Sequence, residues 1–353
     1  MMTPLALADC RIVRLNAELF PVSDEERTAC ERLGIAPELV EAEGPAALCD
    51  VVAGADAIFA VSVKLPTEVI AAMDRCRVIS RMGAGTDRID VDEARRRGIL
   101  VTNVPDFCVE EQADHAMAML LALERQLKRM DRETAAGNWT AARRVSGRNH
   151  RLPGRTLGLV GFGRSARTMA RRARGFGMRI LATRRRDIED PVATELGVEL
   201  VDLDQLLSES DYVSLHLPLT DATHHLIDAE RIALMKPDAI FINTSRGAIV
   251  DELALVEALD NGHLRGAGLD VFERINVHDP DEVPPTDDPL LGRDDIVVTP
   301  HVAAFGAESR RDVAEGSVQN LVDVLEGRWP PEDNIVNRGV EPRWPLAARA
   351  TSS

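Results

Sequence analysis

Thr156-Leu-Gly-Leu-Val-Gly161-Phe-Gly163-Arg-Ser-Ala166 is the stretch whose reading decides the fold. An apolar run suited to a buried strand enters a glycine turn, and a helix-forming stretch, Arg164 to Phe176, leaves it. The spacing is G-x-G-x-x-G/A in its required context of strand, turn and helix. Gly161 permits the tight turn, and Gly163 lets backbone approach a diphosphate. Ala166 keeps helix and strand close in place of a third glycine. The free N–H groups and the dipole at the helix start would hold the diphosphate, with Phe162, Arg164 and Ser165 around it. The competing reading is a tight turn with no ligand.

Working outward, short apolar runs alternate with amphipathic stretches. Arg11–Leu15, Ala57–Val61, Arg77–Ser80 and Ile99–Thr102 read as strands, separated by helical stretches such as Pro66–Asp74 and Asp92–Arg97. After the fingerprint come strands Arg179–Thr183, Tyr212–Leu215, Ala239–Asn243, Gly266–Asp270 and Ile296–Thr299, then helix Glu308–Leu325. This alternation predicts α/β architecture with parallel sheets. Between the two series, Val109 to about Ala136 reads as one long helix whose centre, Ala116–Leu123, is apolar on nearly all faces and must be buried.

The chain has 353 residues, enough for two domains, 45% hydrophobic content and a net charge of -16. That charge argues against a nucleic-acid or anionic-membrane partner. The longest apolar run falls far short of the roughly 20 residues a bilayer needs, and the N-terminus reads as no signal peptide. The five cysteines, all in the first third, form no CxxC pair, so buried thiols in a cytoplasmic protein are expected. No metal-ligand set is read from the sequence.

The second strand of such a unit, here Arg179–Thr183, should end in an acid that holds the ribose 2′-OH. It reads Thr183-Arg184-Arg185-Arg186 instead, with Asp187 later. Guanidinium suits a 2′-phosphate, so NADP is expected ahead of NAD. The alternative is a solvated loop on a protein that still takes NAD. Two further strand ends carry polar groups: Arg246, able to clamp a carboxylate, and His301, able to act as general acid–base. Either residue could also be an ordinary surface or structural group.

Together these segments resemble the D-isomer-specific 2-hydroxyacid dehydrogenase family over roughly residues 50–327. The likeness rests on Arg81-Met-Gly-Ala-Gly-Thr-Asp87, Gly98–Pro105, the fingerprint, His216–Thr220, Asn243–Glu252, Gly268-Leu-Asp270-Val-Phe and Thr299-Pro-His301. Asn103-Val-Pro-Asp-Phe-Cys-Val-Glu-Glu looks like the branch of phosphoglycerate dehydrogenases and C-terminal-binding-protein corepressors.

The resemblance implies a hydride transfer between NAD(P)H and C2 of a small 2-oxo or 2-hydroxy acid. Arg246 would bind the substrate, His301 would exchange the proton, and backbone amides at Ala84 and Gly85 would help hold the carboxylate. Asp270 would face the nicotinamide carboxamide. Thr244, His216, Leu217 and Pro218 would line the cofactor cleft, and the long helix would pack in a homodimer. It also implies two Rossmann-like doubly wound domains. A dinucleotide-binding domain, 107–303, interrupts a flavodoxin-like substrate domain, 1–106 with 304–335. The tail, 336–353, is expected to be loosely ordered.

One position departs from the family pattern. The glutamate expected to pair with His301 falls on Ile275 by count. Glu282-Val-Pro-Pro-Thr-Asp-Asp-Pro-Leu290 has the family's downstream spacing, so an insertion would make Glu282 the displaced glutamate, with Glu273 and Asp279 as rivals. The alternative to an enzyme is a dinucleotide-sensing, corepressor-like interaction protein.

Overall fold

Alternation of short, largely apolar runs with amphipathic stretches resolves into twelve strands in two all-parallel sheets among the described residues. The computed structural model describes residues 6–18, 20–184, 190–275 and 287–347. The chain forms two compact units, Met1–Cys108 with Gly306–Ser353, and Val109–Phe305. The second therefore interrupts the first in sequence.

The first unit holds β1 (Ile12–Leu15), β2 (Glu38–Val40), β3 (Ala57–Ala60), β4 (Val78–Arg81) and β5 (Leu100–Thr102). Their order, β2-β1-β3-β4-β5, is that of the flavodoxin-like sheet. Both faces are covered, as parallel sheets require. Ile58, Ile79 and Val101 pack on one side with Leu65 and Ile70. Phe59, Val78 and Leu100 pack on the other with Val318, Leu321 and Leu325 of the helix Ala307–Leu325. The last long helix is thus part of the N-terminal unit's core.

The second unit holds β6 (Thr156–Val160), β7 (Arg179–Ala182), β8 (Val198–Leu200), β9 (Tyr212–Leu215), β10 (Ala239–Asn243), β11 (Leu264–Leu269) and β12 (Ile296–Val298). The order is β12-β11-β10-β9-β6-β7-β8. The chain runs outward from β6 to one edge, returns to β9 beside β6, and runs to the other edge. The reversal between β6 and β9 is a topological switch point, where doubly wound sheets bind ligands beyond the strand C-termini. The strands β2 and β8, only three residues each, escape the sequence reading because their exposed residues lack an apolar run.

Two expectations need correction. The long helix ends at Glu124, and separate helices follow over Leu127–Ala135 and Trp139–Val145. Gln126 takes a left-handed conformation (φ 52°) that no helix interior accommodates. Its amide instead donates to Val145 O and Asn149 Oδ1, both at 2.9 Å. The tail is not loose over its described part. Val336 N–H donates to Val101 O (2.9 Å), and the fully buried Asn337 side chain accepts from Val101 N (2.9 Å) and donates to Ile99 O (2.8 Å). Further on, Arg343 donates to Asp74 O at 2.8 Å, and the Arg77 guanidinium lies 4.4 Å from the Trp344 ring centre. Residues 348–353 lie outside the described residues.

Candidate active site

Because all seven strands of the second sheet run parallel, their C-terminal ends share one edge. Along that edge, adjacent strands present the expected residues in spatial order. His301 follows β12, Asp270 follows β11, and Thr244 and Arg246 follow β10. His216 follows β9, Gly161 and Gly163 follow β6, and Thr183 and Arg184 follow β7.

The fingerprint turn closes tightly on the switch point. Gly161 has φ +97°, and a Cβ there would meet His216 O at 2.6 Å, so only glycine serves. Its N–H donates to Thr183 Oγ1 at 2.9 Å, tying the tips of β6 and β7. Around Gly163, by contrast, a Cβ would find nothing within 4 Å. Gly163 is also the N-cap of helix Arg164–Gly175 and supplies no side-chain cap. An open space before an uncapped helix start suits a diphosphate.

His216 is buried between two hydroxyls, Ser165 Oγ at 3.2 Å from Nδ1 and Ser214 Oγ at 2.9 Å from Nε2. Burial alone pushes its pKa down to about 4, so it stays neutral at physiological pH. One hydroxyl must then donate to the ring and the other accept from it.

The turn after β10 is built by Asn243, which is fully buried. Its amide donates to Arg246 O (2.9 Å) and accepts from Ser245 N (3.0 Å), while Ser245 Oγ donates to Leu215 O (2.7 Å). Behind the turn, a Cβ on Gly247 would lie 1.9 Å from the Phe272 carbonyl carbon, so the two backbones touch. The half-buried Arg246 donates through Nη1 to Ser245 O at 2.7 Å. Thr244 Oγ1 is buried with no hydrogen-bond partner among the described residues. An orphaned hydroxyl on the cofactor edge fits a bound polar group.

Asp270 is fully buried, and burial pushes its carboxyl above the ordinary carboxylate range. It accepts from Thr299 Oγ1 (2.5 Å), Val302 N (2.9 Å) and Ala303 N (2.9 Å). His301 N–H donates to Asp270 O at 2.8 Å, and His301 takes φ +58°, unusual for a residue with a Cβ. Asp270 thus lies beneath the His301 loop rather than at an open face.

Sequence reasoning missed two residues of the helix Val109–Glu124. Gln112 Nε2 donates to Thr244 O (2.8 Å), and His115 Nε2 lies 2.9 Å from Thr299 Oγ1. Two half-buried polar residues three apart, and so on one helix face, were the available signal.

Ala84 and Gly85 belong to the first unit, in the loop after β4. Arg81 curls into that loop, donating to Gly85 O (3.0 Å) and Met82 O, and Asn103 donates to Ala84 O (2.6 Å). The Met82, Ala84 and Gly85 carbonyls thus meet these two side chains, while Gly83 O accepts from Val104 N–H at 3.1 Å.

Arg184 is not a lone cation. It donates to Asp190 Oδ2 at 2.7 Å, as Arg167 does at 2.8 Å. Asp190 also caps the helix Pro191–Leu196 by accepting from Val192 N. Glu273 is engaged by His225 at 2.7 Å. Arg185, Arg186, Asp187, Asp279 and Glu282 lie outside the described residues.

His216 makes the first test possible. A histidine held near 4 when folded and near 6.5 when unfolded resists protonation only in the folded state. Its stability contribution is therefore complete above about pH 6.5 and is lost as pH falls toward 4. In urea unfolding, the gap between wild type and His216→Gln should narrow by about 2 kcal/mol from pH 7 to pH 5. A gap that does not change with pH would contradict the buried neutral histidine.

The family model for the D-isomer specific 2-hydroxyacid dehydrogenase NAD-binding domain matches residues 117–303. The chain is 45% identical over 280 residues to a glyoxylate reductase of Korarchaeum cryptofilum, covering 78% of this chain and 80% of that one. It is 40% identical over 287 residues to a glyoxylate reductase of Thermococcus litoralis, covering 79% and 82%. Among solved structures, D-lactate dehydrogenase from Aquifex aeolicus, complexed with NAD and lactic acid, superimposes with a TM-score of 0.81 at 29% identity. The match covers 93% of this chain and 99% of that one. The chain belongs to the D-isomer specific 2-hydroxyacid dehydrogenase family and is a nicotinamide-dependent oxidoreductase acting on CH–OH donors.

Proposed function

We propose that this enzyme reduces a small 2-oxo acid of the glyoxylate class with NADPH, and that Arg246 and His301 hold and protonate the substrate. The observation that carries the reading is the order of residues along one sheet edge. The dinucleotide turn stands at the switch point, and a guanidinium and an imidazole stand on tips toward β12. The relatives named glyoxylate reductase support the substrate class.

When bound, the nicotinamide supplies the hydride that reaches C2. Each residue of the chain then has a definite task. Arg246 meets the carboxylate and the 2-oxo group with a planar fork of donors. His301 gives its proton to the C2 oxygen as negative charge develops there. Asp270 fixes the His301 loop through the three hydrogen bonds it accepts. Backbone at Ala84 and Gly85 assists with the carboxylate. Glu282 is our assignment for the acid that pairs with His301.

Local charge supports NADPH over NADH. At the β7 tip two guanidiniums, Arg167 and Arg184, share the carboxylate of Asp190, an excess of positive charge among the described residues that suits a 2′-phosphate. The five cysteines, none of them in a disulfide, support a reducing, cytoplasmic setting. A homodimer through the segment after Val109 is supported by the exposed apolar side chains of Leu127 (53%) and Trp139 (60%). A monomeric mass in light scattering would rule it out.

Steady-state kinetics on glyoxylate, pyruvate and hydroxypyruvate, each with both reduced cofactors, test the assignment. Glyoxylate with NADPH should give the highest kcat/KM. His301→Ala should lower kcat by about 10² to 10⁴ with cofactor affinity retained, and Arg246→Lys should impair both kcat and KM. Arg184→Asp with Arg185→Ala should move the preference toward NADH by roughly 1 to 3 kcal/mol. Undiminished turnover in His301→Ala, or tighter NADH binding unchanged by the double substitution, would overturn the corresponding assignment.

A further inference from the structure

A second cluster of chemistry-bearing side chains lies in the same unit, in residues to which our reading of the reduction, with Glu282 as its acid, gives no role. His224 and His225 follow β9 in a loop, and Glu273 follows β11. His225 Nε2 lies 2.7 Å from Glu273 Oε1, and His224 Nε2 lies 3.7 Å from the same oxygen. The three ligand atoms all fall within 4.8 Å of one another. We propose that His224, His225 and Glu273 form a metal site that takes a divalent transition cation of the zinc type.

The donor set has the right chemistry. Two imidazoles and one carboxylate are a recurrent zinc combination, and imidazole favours zinc, nickel and copper over magnesium or calcium. Tetrahedral coordination at 2.0–2.1 Å sets neighbouring ligand atoms roughly 3.3 Å apart. The two separations measured to Glu273 Oε1 bracket that value. Without a cation the cluster is incomplete. His225 can share a proton with Glu273, but 3.7 Å is too far for His224 to do so. Its ring instead rests beside that of His225, with centres 4.1 Å apart. Among the described residues no lysine or arginine pairs with Glu273. The adjacent Arg274 turns to Asp288 (3.0 Å) and Glu252 (3.6 Å).

The anchors are also in place, which lowers the cost of assembling the site. His224 N–H donates to Thr220 O (2.9 Å), and His225 N–H to Ala248 O (2.9 Å). His225 is held at φ +47°, a strained conformation that persists only where neighbours fix it. Just beyond it, Ile227 N–H donates to Ile249 O and pins the loop to the turn that carries Arg246. Glu273 N–H donates to the buried Glu252 carboxylate at 2.6 Å. The side chains remain reachable, with exposures of 54% for His224, 38% for His225 and 25% for Glu273. A cation could enter from solvent and keep water at its open position.

Calorimetric titration of the full chain, stripped with chelator, against zinc chloride at pH 7.5 tests the proposal without reference to turnover. Saturable binding of one zinc per chain is expected, weakened at least tenfold by His224→Ala and by Glu273→Gln. His224 is more than half exposed, so its replacement should leave the fold intact, and an unchanged circular dichroism spectrum verifies that. No saturable binding, or binding undiminished in both variants, would overturn the site and leave an imidazole–carboxylate hydrogen bond in its place.

Discussion

A carboxylate sealed from water has to be met by donors, and in this enzyme the donors that meet Asp270 define the loop that carries His301. Burying an unsatisfied charge costs several kcal/mol, so the strand end at Asp270 is viable only if the segment after β12 folds back over it. Thr299, Val302 and Ala303 make that return, and His301 sits at its apex in a left-handed conformation. His115, reaching Thr299 from the helix Val109–Glu124, ties a third element to the same point. His301 is thus positioned by a buried electrostatic requirement rather than by its own contacts alone.

The same logic operates one strand away. Asn243 and Ser245 satisfy the β10 turn internally, so Arg246 leaves a fixed backbone. Gly247 lies against the Phe272–Glu273 backbone so closely that no side chain fits there. At the switch point, Gly161 and His216 close in the same way. A rigid edge built from backbone contacts holds the groups within reach of a cofactor with little left to reorganise.

What was legible in the sequence was local. Gly161, Gly163 and Ala166 announce themselves because strand, turn and helix are contiguous. Arg246 and His301 stand out as polar residues directly after apolar strands. The clamps were not legible, because their partners are remote in sequence. Thr299 lies 29 residues from Asp270, Gln112 lies 132 from Thr244, and His225 lies 48 from Glu273. The tail misled for the same reason. Its arginines and prolines read as loose chain, whereas Asn337 finishes the β5 edge from 236 residues away. The break at Gln126 was hidden because apolar periodicity continues through it and only a tertiary partner for its amide selects the turn. The sharing of Asp190 between Arg184 and Arg167 was not legible in the arginine run, because the three residues are brought together only by the fold.

The whole arrangement serves one event, the movement of a hydride from a nicotinamide C4 to C2 of a 2-oxo acid. The most direct measurement follows deuterium. Glyoxylate is reduced with each of the two C4-monodeuterated forms of NADPH in turn, and the glycolate is examined by mass spectrometry and proton NMR. Direct transfer puts deuterium at C2 of the product from one of the two forms and none from the other. Unlabelled glycolate from both forms, or no glycolate at all, would contradict it.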